Sequence, residues 1–84
     1  QYSFTNTRRT QAGVVEIHLD VQRGVLQEVR IFGDFFSSAE IRELESLLAG
    51  CPHERGALAQ RLHSIALDRY IQGVDRSEFL ECLF

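Results

Sequence analysis

An alternation of apolar and polar residues with a period of two runs from Gly13 to Phe32, as is typical of β-strands with one buried face. The side chains that share the apolar face of the first strand are Val15, Ile17, Leu19 and Val21. A second strand is predicted over residues 25–32, and residues 2–10, which are rich in Thr, suit an edge strand. We therefore expect an antiparallel sheet of two or three strands.

The turn between the two central strands can be predicted from the register that pairs like faces. A three-residue loop over 22–24, with Gly24 in the left-handed conformation, places Ile17 opposite Val29. The same register predicts charge pairs on the other face, which are Glu16 with Arg30 and His18 with Glu28. That other face is mixed rather than purely polar, and it carries Val14, Glu16, His18, Asp20, Leu26, Glu28, Arg30 and Phe32.

A first helix is predicted to follow the second central strand. Ser37, followed three positions later by Glu40, has the form of a capping box with Ser37 as the N-cap. Phe36 before the cap and Ile41 after it would close a hydrophobic staple. The side chains expected to face the core are Ile41, Leu44, Leu47 and Leu48, and those expected to face outward are Arg42, Glu43, Glu45 and Ser46.

Two further helices are expected toward the end of the chain. Gly50 ends the first helix, and Pro52 prevents its continuation. A second helix is predicted over about residues 54–68, with Leu58, Leu62, Ile65 and Ala66 facing inward. The third repeats the start signal of the first, with Asp75 as the cap and Glu78 closing the box.

These elements predict an α+β fold of two layers. A two- or three-stranded antiparallel sheet packs against three helices that cover its apolar face. The 84 residues make a single domain, 1–84, with a modest core. Because the first residue is Gln1 rather than Met, we expect the chain to be either a piece of something longer or a processed form.

Composition narrows the function classes. The hydrophobic fraction of 44% and charged fraction of 25% are those of an ordinary globular domain, and no apolar run is long enough to cross a membrane. The net charge of -3 argues against binding to nucleic acid. Two cysteines without a CxxC spacing favour a reducing, cytoplasmic setting over a disulfide framework.

Few residues suggest catalysis. All nine basic residues are Arg, so no Lys amine is available as a nucleophile or as a modification target. The three His are scattered and favour no metal site. Cys51 follows a helix C-terminus, where the negative end of the helix dipole would not activate it, and Cys82 is expected in the core. We predict no catalytic residue, no cofactor-binding residue and no metal ligand in this domain.

The corner between the sheet and the first helix is the candidate docking site. Asp34 follows Gly33 and precedes two aromatics, which suits either a contact to a partner or a turn residue that accepts corner N–H groups. With Phe36 assigned to the staple, Phe35 is the expected exposed anchor. The predicted partner-docking residues are Gly33, Asp34, Phe35, Arg30 and His18.

Several segments taken in order resemble the C-terminal accessory domain of lipoate-protein ligase. They are 13–21, 24–26, 31–36, 44–50, 70–74 and 79–84, and the most specific is the Gly-Asp-Phe-Phe corner at 33–36. The resemblance leaves out the opening strand and the segment around 51–56. No single segment is diagnostic, but their order and spacing together support the resemblance.

The resemblance implies a non-catalytic lid. In that family a large N-terminal catalytic domain binds lipoate and ATP, forms lipoyl-adenylate and transfers the lipoyl group to a Lys of an acceptor protein. The small domain would assist by docking on the large one, as a fused domain or a separate subunit. Since this chain has no Lys, it cannot be the lipoyl acceptor itself.

Two other readings remain open from the residues. The same scaffold would serve a free-standing protein-binding module, because a fold alone does not determine function. An autonomous small enzyme is the third reading, and no nucleophile, base or metal set in the sequence recommends it.

Overall fold

A computed structural model describes residues 2–84 of the chain. Three strands form one antiparallel sheet in the order β1-β2-β3, with β1 at Phe4–Thr10, β2 at Gly13–Gln22 and β3 at Val25–Gly33. Four helices follow, which are α1 at Ile41–Leu48, α2 at Arg55–His63, α3 at Leu67–Tyr70 and α4 at Arg76–Cys82. The α+β prediction is confirmed, with one short helix more than expected.

The helices cover one face of the sheet, and the core lies between the two layers. α1 packs along β3, whereas α4 packs on β1 and β2. The apolar positions of period two supply the sheet's share of the core, namely Val15, Ile17, Leu19, Val29 and Ile31. The helical share includes Leu44, Leu48, Leu58, Leu62, Phe79 and Cys82. Hydrophobic periodicity therefore predicted these core positions correctly.

The predicted hairpin register is wrong. The turn has two residues, Arg23 and Gly24, both with positive φ (53° and 75°), as a type I′ hairpin requires. A bulge then follows, because Asp20 lies opposite Glu28 while Val21 lies opposite Leu26, so that Gln27 is an extra residue on β3.

The bulge restores the burial pattern that a two-residue turn alone would have lost. Beyond it, Ile17 lies opposite Ile31, so both central strands keep their apolar residues on the core face. Leu26, expected on the mixed face, is fully buried as a result. His18 lies opposite Arg30 rather than Glu28, and both predicted cross-strand charge pairs are replaced.

The predicted second helix is two helices. α2 ends at His63 and α3 begins at Leu67, so residues 64–66 interrupt the expected continuous segment. The guanidinium of Arg76 donates to the main-chain oxygens of Leu62 and Ile65, which holds the end of α2 and the start of the interruption. Ile65 is buried as predicted, but Ala66 is exposed.

One side of α1 was also assigned wrongly. Leu47 is 43% exposed, whereas Glu45 is only 8% exposed. The Glu45 carboxylate accepts the N–H of Ile31 at 2.8 Å and lies 3.6 Å from the guanidinium of Arg30. Because α1 packs against the outer edge of β3, the side chain that faces that edge is one that can accept a main-chain N–H. The end of the helix is as predicted, with Gly50 at φ 88°.

Candidate docking surface

The corner at the end of β3 is built by close packing of backbone around a glycine. A Cβ at Gly33 would stand 2.1 Å from the Val14 carbonyl oxygen and 2.7 Å from the Phe35 ring. Since real Cβ atoms do not approach so closely, only glycine fits. The strand can therefore pass against β2 while the Phe35 ring folds back over it.

Asp34 continues the ladder with its side chain. Its Oδ1 accepts the Val14 N–H at 2.8 Å, where the next main-chain acceptor of β3 would otherwise be expected. Asp34 is thus a structural acceptor, although the N–H it binds belongs to β2 and not to the corner itself. A Cβ at Gly13 would stand 2.5 Å from the same Oδ1, so the two glycines and Asp34 form one packed unit.

The roles predicted for the two neighbouring phenylalanines are reversed. Phe36, expected to be buried as a staple, is 77% exposed. Phe35, expected as the exposed anchor, is partly buried and packs against the core. Alternation along the strand does not continue through the corner, because the Phe35 ring turns back over Gly33.

The start of α1 differs from the prediction for a related reason. The N-cap is Glu40, and no side chain caps the helix. The Ser37 hydroxyl instead donates to the Tyr70 carbonyl oxygen. The N–H groups of Ser38 and Ala39 both donate to the Arg69 carbonyl oxygen, at 2.8 and 3.0 Å. The predicted capping box at this helix is therefore wrong.

These bonds fix the backbone that carries Phe36. The Phe36 carbonyl oxygen itself accepts the Gln72 N–H at 2.9 Å. The segment 36–39 is consequently tied by main-chain and side-chain bonds to residues 69–72, which are the end of α3 and the two residues after it. Phe36 is an exposed aromatic on a well-held backbone, a combination typical of interface anchors.

The sheet face away from the helices carries a row of aromatic rings. His18 makes edge contacts with Tyr2 and Phe32, with ring centroids 5.4 and 5.5 Å apart. Tyr2 is 40% exposed and Phe32 52% exposed. Tyr2 lies just before β1, His18 lies in β2 and Phe32 lies in β3. Their three rings therefore form a half-exposed aromatic stripe across the sheet.

A hydrogen bond and an ion pair flank this stripe. Both run along the strands and not across them, with His18 Nε2 2.6 Å from the Glu16 carboxylate and Arg30 Nε 3.1 Å from the Glu28 carboxylate. The Tyr2 hydroxyl donates to the same Glu28 carboxylate at 3.3 Å. Because Arg30 also lies 3.6 Å from Glu45, the open face is linked to α1 at the edge of the sheet.

The site residues predicted from the sequence therefore fall into two groups. Gly33, Asp34 and Phe35 build the corner, and His18 and Arg30 lie on the open face. Three exposed aromatics lie outside the predicted set of docking residues, namely Tyr2, Phe32 and Phe36. Phe32 lies on the mixed face, where the alternation along β3 predicts it, whereas the exposure of Phe36 depends on contacts with residues 69–72. We call the open face together with the corner the open-face surface, defined by Tyr2, His18, Arg30, Phe32, Gly33, Asp34 and Phe36.

Outside the open-face surface, the titratable groups with shifted pKa values owe the shift to burial or to a neighbouring side chain. Burial raises the pKa of the Cys82 thiol, and its Sγ lies 3.4 Å from the Glu78 carbonyl oxygen. Cys51 is also buried, so neither cysteine side chain is open to solvent. The hydrogen bond to Arg55 lowers the pKa of Glu81. Residues 2–84 contain no group of three or more His, Cys, Asp or Glu side chains arranged to hold a metal ion.

The ring of His53 belongs to a separate cluster. It stacks on Phe84 with centroids 4.6 Å apart, and its Nε2 lies 2.7 Å from the Leu83 carbonyl oxygen. Arg55 lies over the Phe84 ring at 4.7 Å. His53 thus joins the α1–α2 connection to the residues that follow α4.

Among residues 2–84, no helix has both the length and the apolar character needed to span a membrane.

The fold and surface define a small α+β domain whose helices cover one sheet face and whose other face carries a half-exposed aromatic stripe. Residues 1–83 match the family model described as "Bacterial lipoate protein ligase C-terminus". The chain belongs to this family, as its resemblance predicted.

Comparison with individual proteins leads to the same family. The chain is 30% identical over 84 residues to lipoate-protein ligase LplJ of Bacillus subtilis and 32% identical over 83 residues to lipoate–protein ligase 1 of Staphylococcus aureus. It is 36% identical over 84 residues to the lipoate–protein ligase of Streptococcus pyogenes. These matches cover 99–100% of the chain but only 25% of each relative, so the chain spans about a quarter of their length.

Proposed function

We propose that this domain is the non-catalytic accessory lid of a lipoate-protein ligase and acts by docking on a large catalytic domain. The observation that carries the proposal is the match to the C-terminal family over 1–83, within relatives four times as long. ATP and lipoate are the proposed ligands of the catalytic domain, and a lipoyl-acceptor protein is the indirect partner. The proposed setting is the cytoplasm, where free thiols stay reduced.

A lid contributes to such chemistry without reacting. An acyl-adenylate is hydrolysed by water, so a domain that closes over it protects the intermediate until the acceptor arrives. Movement of the lid would then determine when the acceptor lysine reaches the bound acyl group. For this role the small domain needs only a stable fold and a surface that docks reversibly on the large domain.

The open-face surface is the proposed docking area. An interface of this kind needs an aromatic anchor in a polar surround. Phe32 supplies an exposed ring beside His18 on the open face, and Phe36 supplies an exposed ring at the corner. Gly33, Asp34 and Phe35 build the packed corner that directly precedes Phe36 in the chain. The anchor is therefore Phe36 rather than Phe35.

Reconstitution tests the proposal. The chain is mixed with a separately produced catalytic domain of its ligase, and lipoyl-adenylate accumulation and the Kd of the two parts are measured. Phe36→Ala is expected to weaken docking by about 2 kcal/mol, roughly thirtyfold in Kd. Leu47→Ala removes an exposed side chain of α1 outside the open-face surface and serves as the matched control.

Three results would separate the readings. Activity that rises only in the mixture and falls with Phe36→Ala supports the lid. Binding to the catalytic domain that Phe36→Ala leaves unchanged overturns the open-face surface as the docking area. No binding at all favours a free-standing module with another partner. Phe35→Ala is unsuitable for this test, because removing its ring would disturb the corner itself.

A further inference from the structure

The two outer edges of the sheet differ in how far the rest of the chain covers them. An edge strand presents unpaired main-chain N–H and C=O groups, which another extended chain can pair with unless they are covered. In this protein the β3 edge is covered by other parts of the chain, whereas the β1 edge is not.

Two devices close the β3 edge. Near the turn, the main-chain N–H of Leu26 donates to the Cys51 carbonyl oxygen at 2.9 Å, and the Leu26 carbonyl oxygen accepts the Gly50 N–H at 2.7 Å. Farther along, the Glu45 carboxylate takes the Ile31 N–H. An incoming strand would have to displace the α1–α2 connection or a buried carboxylate.

The pairing register shows which main-chain groups of β1 are free. Ile31 points its N–H away from β2, so its opposite residue Ile17 points its own main-chain groups toward β1, where it pairs with Asn6. Neighbouring residues of a strand point in opposite directions. The N–H and C=O groups of Thr5, Thr7 and Arg9 therefore point out of the sheet.

These outward groups have no partner among residues 2–84. No main-chain or side-chain hydrogen bond joins Thr5, Thr7 or Arg9 to the rest of the described chain beyond the ladder with β2. All three residues are exposed. The edge extends over the seven residues of β1, long enough for an added strand to form several bonds.

Charge indicates what kind of strand fits. Arg8 and Arg9 are adjacent near the end of β1, which contains no carboxylate. Arg9 is in none of the ion pairs within residues 2–84, and on the open face it would stand beside a side chain of the added strand. On the helix face, Arg8 lies with the carboxylates of Asp75, Glu78 and Glu81, and it contributes to the lowered pKa of Glu81 as a minor cause after Arg55. The positive charge that β1 offers to an added strand is therefore that of Arg9 on the open face.

We propose that β1 accepts an extended segment of another protein as a fourth strand, and that this segment carries carboxylate side chains next to Arg9. A carboxylate there gains a cross-strand charge pair in addition to the main-chain bonds. This inference does not rest on the proposed lid, since it uses the outward main-chain groups of β1 and the Arg9 side chain and not the Phe36 ring.

A second copy of the chain is a poorer occupant. Antiparallel self-pairing centred on Thr7 would place Thr5 opposite Arg9 of the other copy, so neither arginine meets a carboxylate. An acidic segment from a different protein would bond to the outward main-chain groups of β1 and would also place a carboxylate beside Arg9.

The test uses a blocked nine-residue peptide in which valine alternates with glutamate, together with its lysine counterpart. Amide hydrogen exchange of the chain is followed by NMR while each peptide is added. The acidic peptide is expected to slow exchange at Thr5, Thr7 and Arg9 while leaving Ile31 unchanged. Arg9→Glu is expected to weaken peptide binding about two- to fivefold, the range of one cross-strand charge pair.

Proline variants test the backbone contribution. Thr7→Pro removes an outward N–H without breaking the ladder with β2, so the domain should fold and lose peptide binding. Thr7→Val keeps the N–H and should keep binding, and Thr5→Pro replaces Thr7→Pro if the latter does not fold. Equal protection by the lysine peptide, unchanged binding by a folded proline variant, or protection that rises with protein concentration alone would each overturn the proposal.

Discussion

The chain enters α1 and α4 through two helix starts that are held by different means. At α4, the Asp75 carboxylate accepts the Glu78 N–H at 3.1 Å, so a residue within the segment caps its own helix. At α1, Glu40 is the N-cap without any side-chain cap. There the preceding residues are bound instead to the carbonyl oxygens of Arg69 and Tyr70.

The difference separates local from tertiary control of a boundary. The α4 start depends on a contact three residues apart, which would form in any context that permits the helix. The α1 start depends on α3 being in place more than thirty residues away. The corner that precedes α1 is therefore held only in the folded domain, and this is the part that presents Phe36.

The largest expected effect is at the corner. Gly33→Ala should destabilise the domain by about 3 kcal/mol, because the added methyl group meets the Val14 carbonyl oxygen and the Phe35 ring. Urea denaturation followed by circular dichroism measures the loss.

Gly56→Ala is the matched control for that substitution. Gly56 lies in α2, and a Cβ there would approach only the flexible Glu54 side chain, at 3.7 Å. Ala in a helix should stabilise the domain by about 0.5–1 kcal/mol. A Gly33→Ala variant as stable as the original protein would contradict the close approach at the corner.

The second effect is at α4. Asp75→Ala should cost about 1 kcal/mol, since the Glu78 N–H loses its acceptor. Asp75→Asn retains a side-chain oxygen and should recover most of that stability in the same denaturation measurement. Equal losses in both variants would mean that the charge of Asp75, and not its capping bond, stabilises the helix.

The sequence was sufficient wherever a local pattern determines structure. Periodicity located the three strands, the core and the helical regions, and the Asp75 cap was read correctly. The reciprocal half of that capping box was not, because the Glu78 carboxylate accepts the Gln11 N–H instead. Even at α4, one of the two predicted local bonds is therefore replaced by a contact with a residue far away in the sequence.

What the sequence could not reveal depends on distant contacts. The bulge at Gln27 has no local marker and is required only because two strands must bury the same face. Glu45 is buried because the β3 edge needs an acceptor. At the candidate site, Gly33 and Asp34 were located from the sequence, but which of the next two phenylalanines is exposed depends on the Phe35 ring folding over Gly33.

The third expected effect tests the tertiary hydrogen bonds that hold the start of α1. Ser37→Ala should cost about 0.5–1 kcal/mol, because the carbonyl oxygen of buried Tyr70 loses a donor. Ser38→Ala should cost less, since its hydroxyl bond to the Arg69 carbonyl oxygen is longer, 3.2 Å, and exposed. Thermal unfolding of both variants gives the order. A larger loss for Ser38→Ala would contradict the assigned role of Ser37.

The smallest effect is the most specific to α1. Glu40→Ala should change stability by less than about 0.5 kcal/mol, because the Glu40 side chain caps nothing. In a capping box Ser37 and Glu40 would act together, so a double-mutant cycle would show coupling. Since in this structure the two side chains share no partner, the losses from Ser37→Ala and Glu40→Ala should add within about 0.3 kcal/mol. Coupling well above that value would mean that the capping box forms in solution, and that the tie between the corner and α3 is not what holds Phe36 in place.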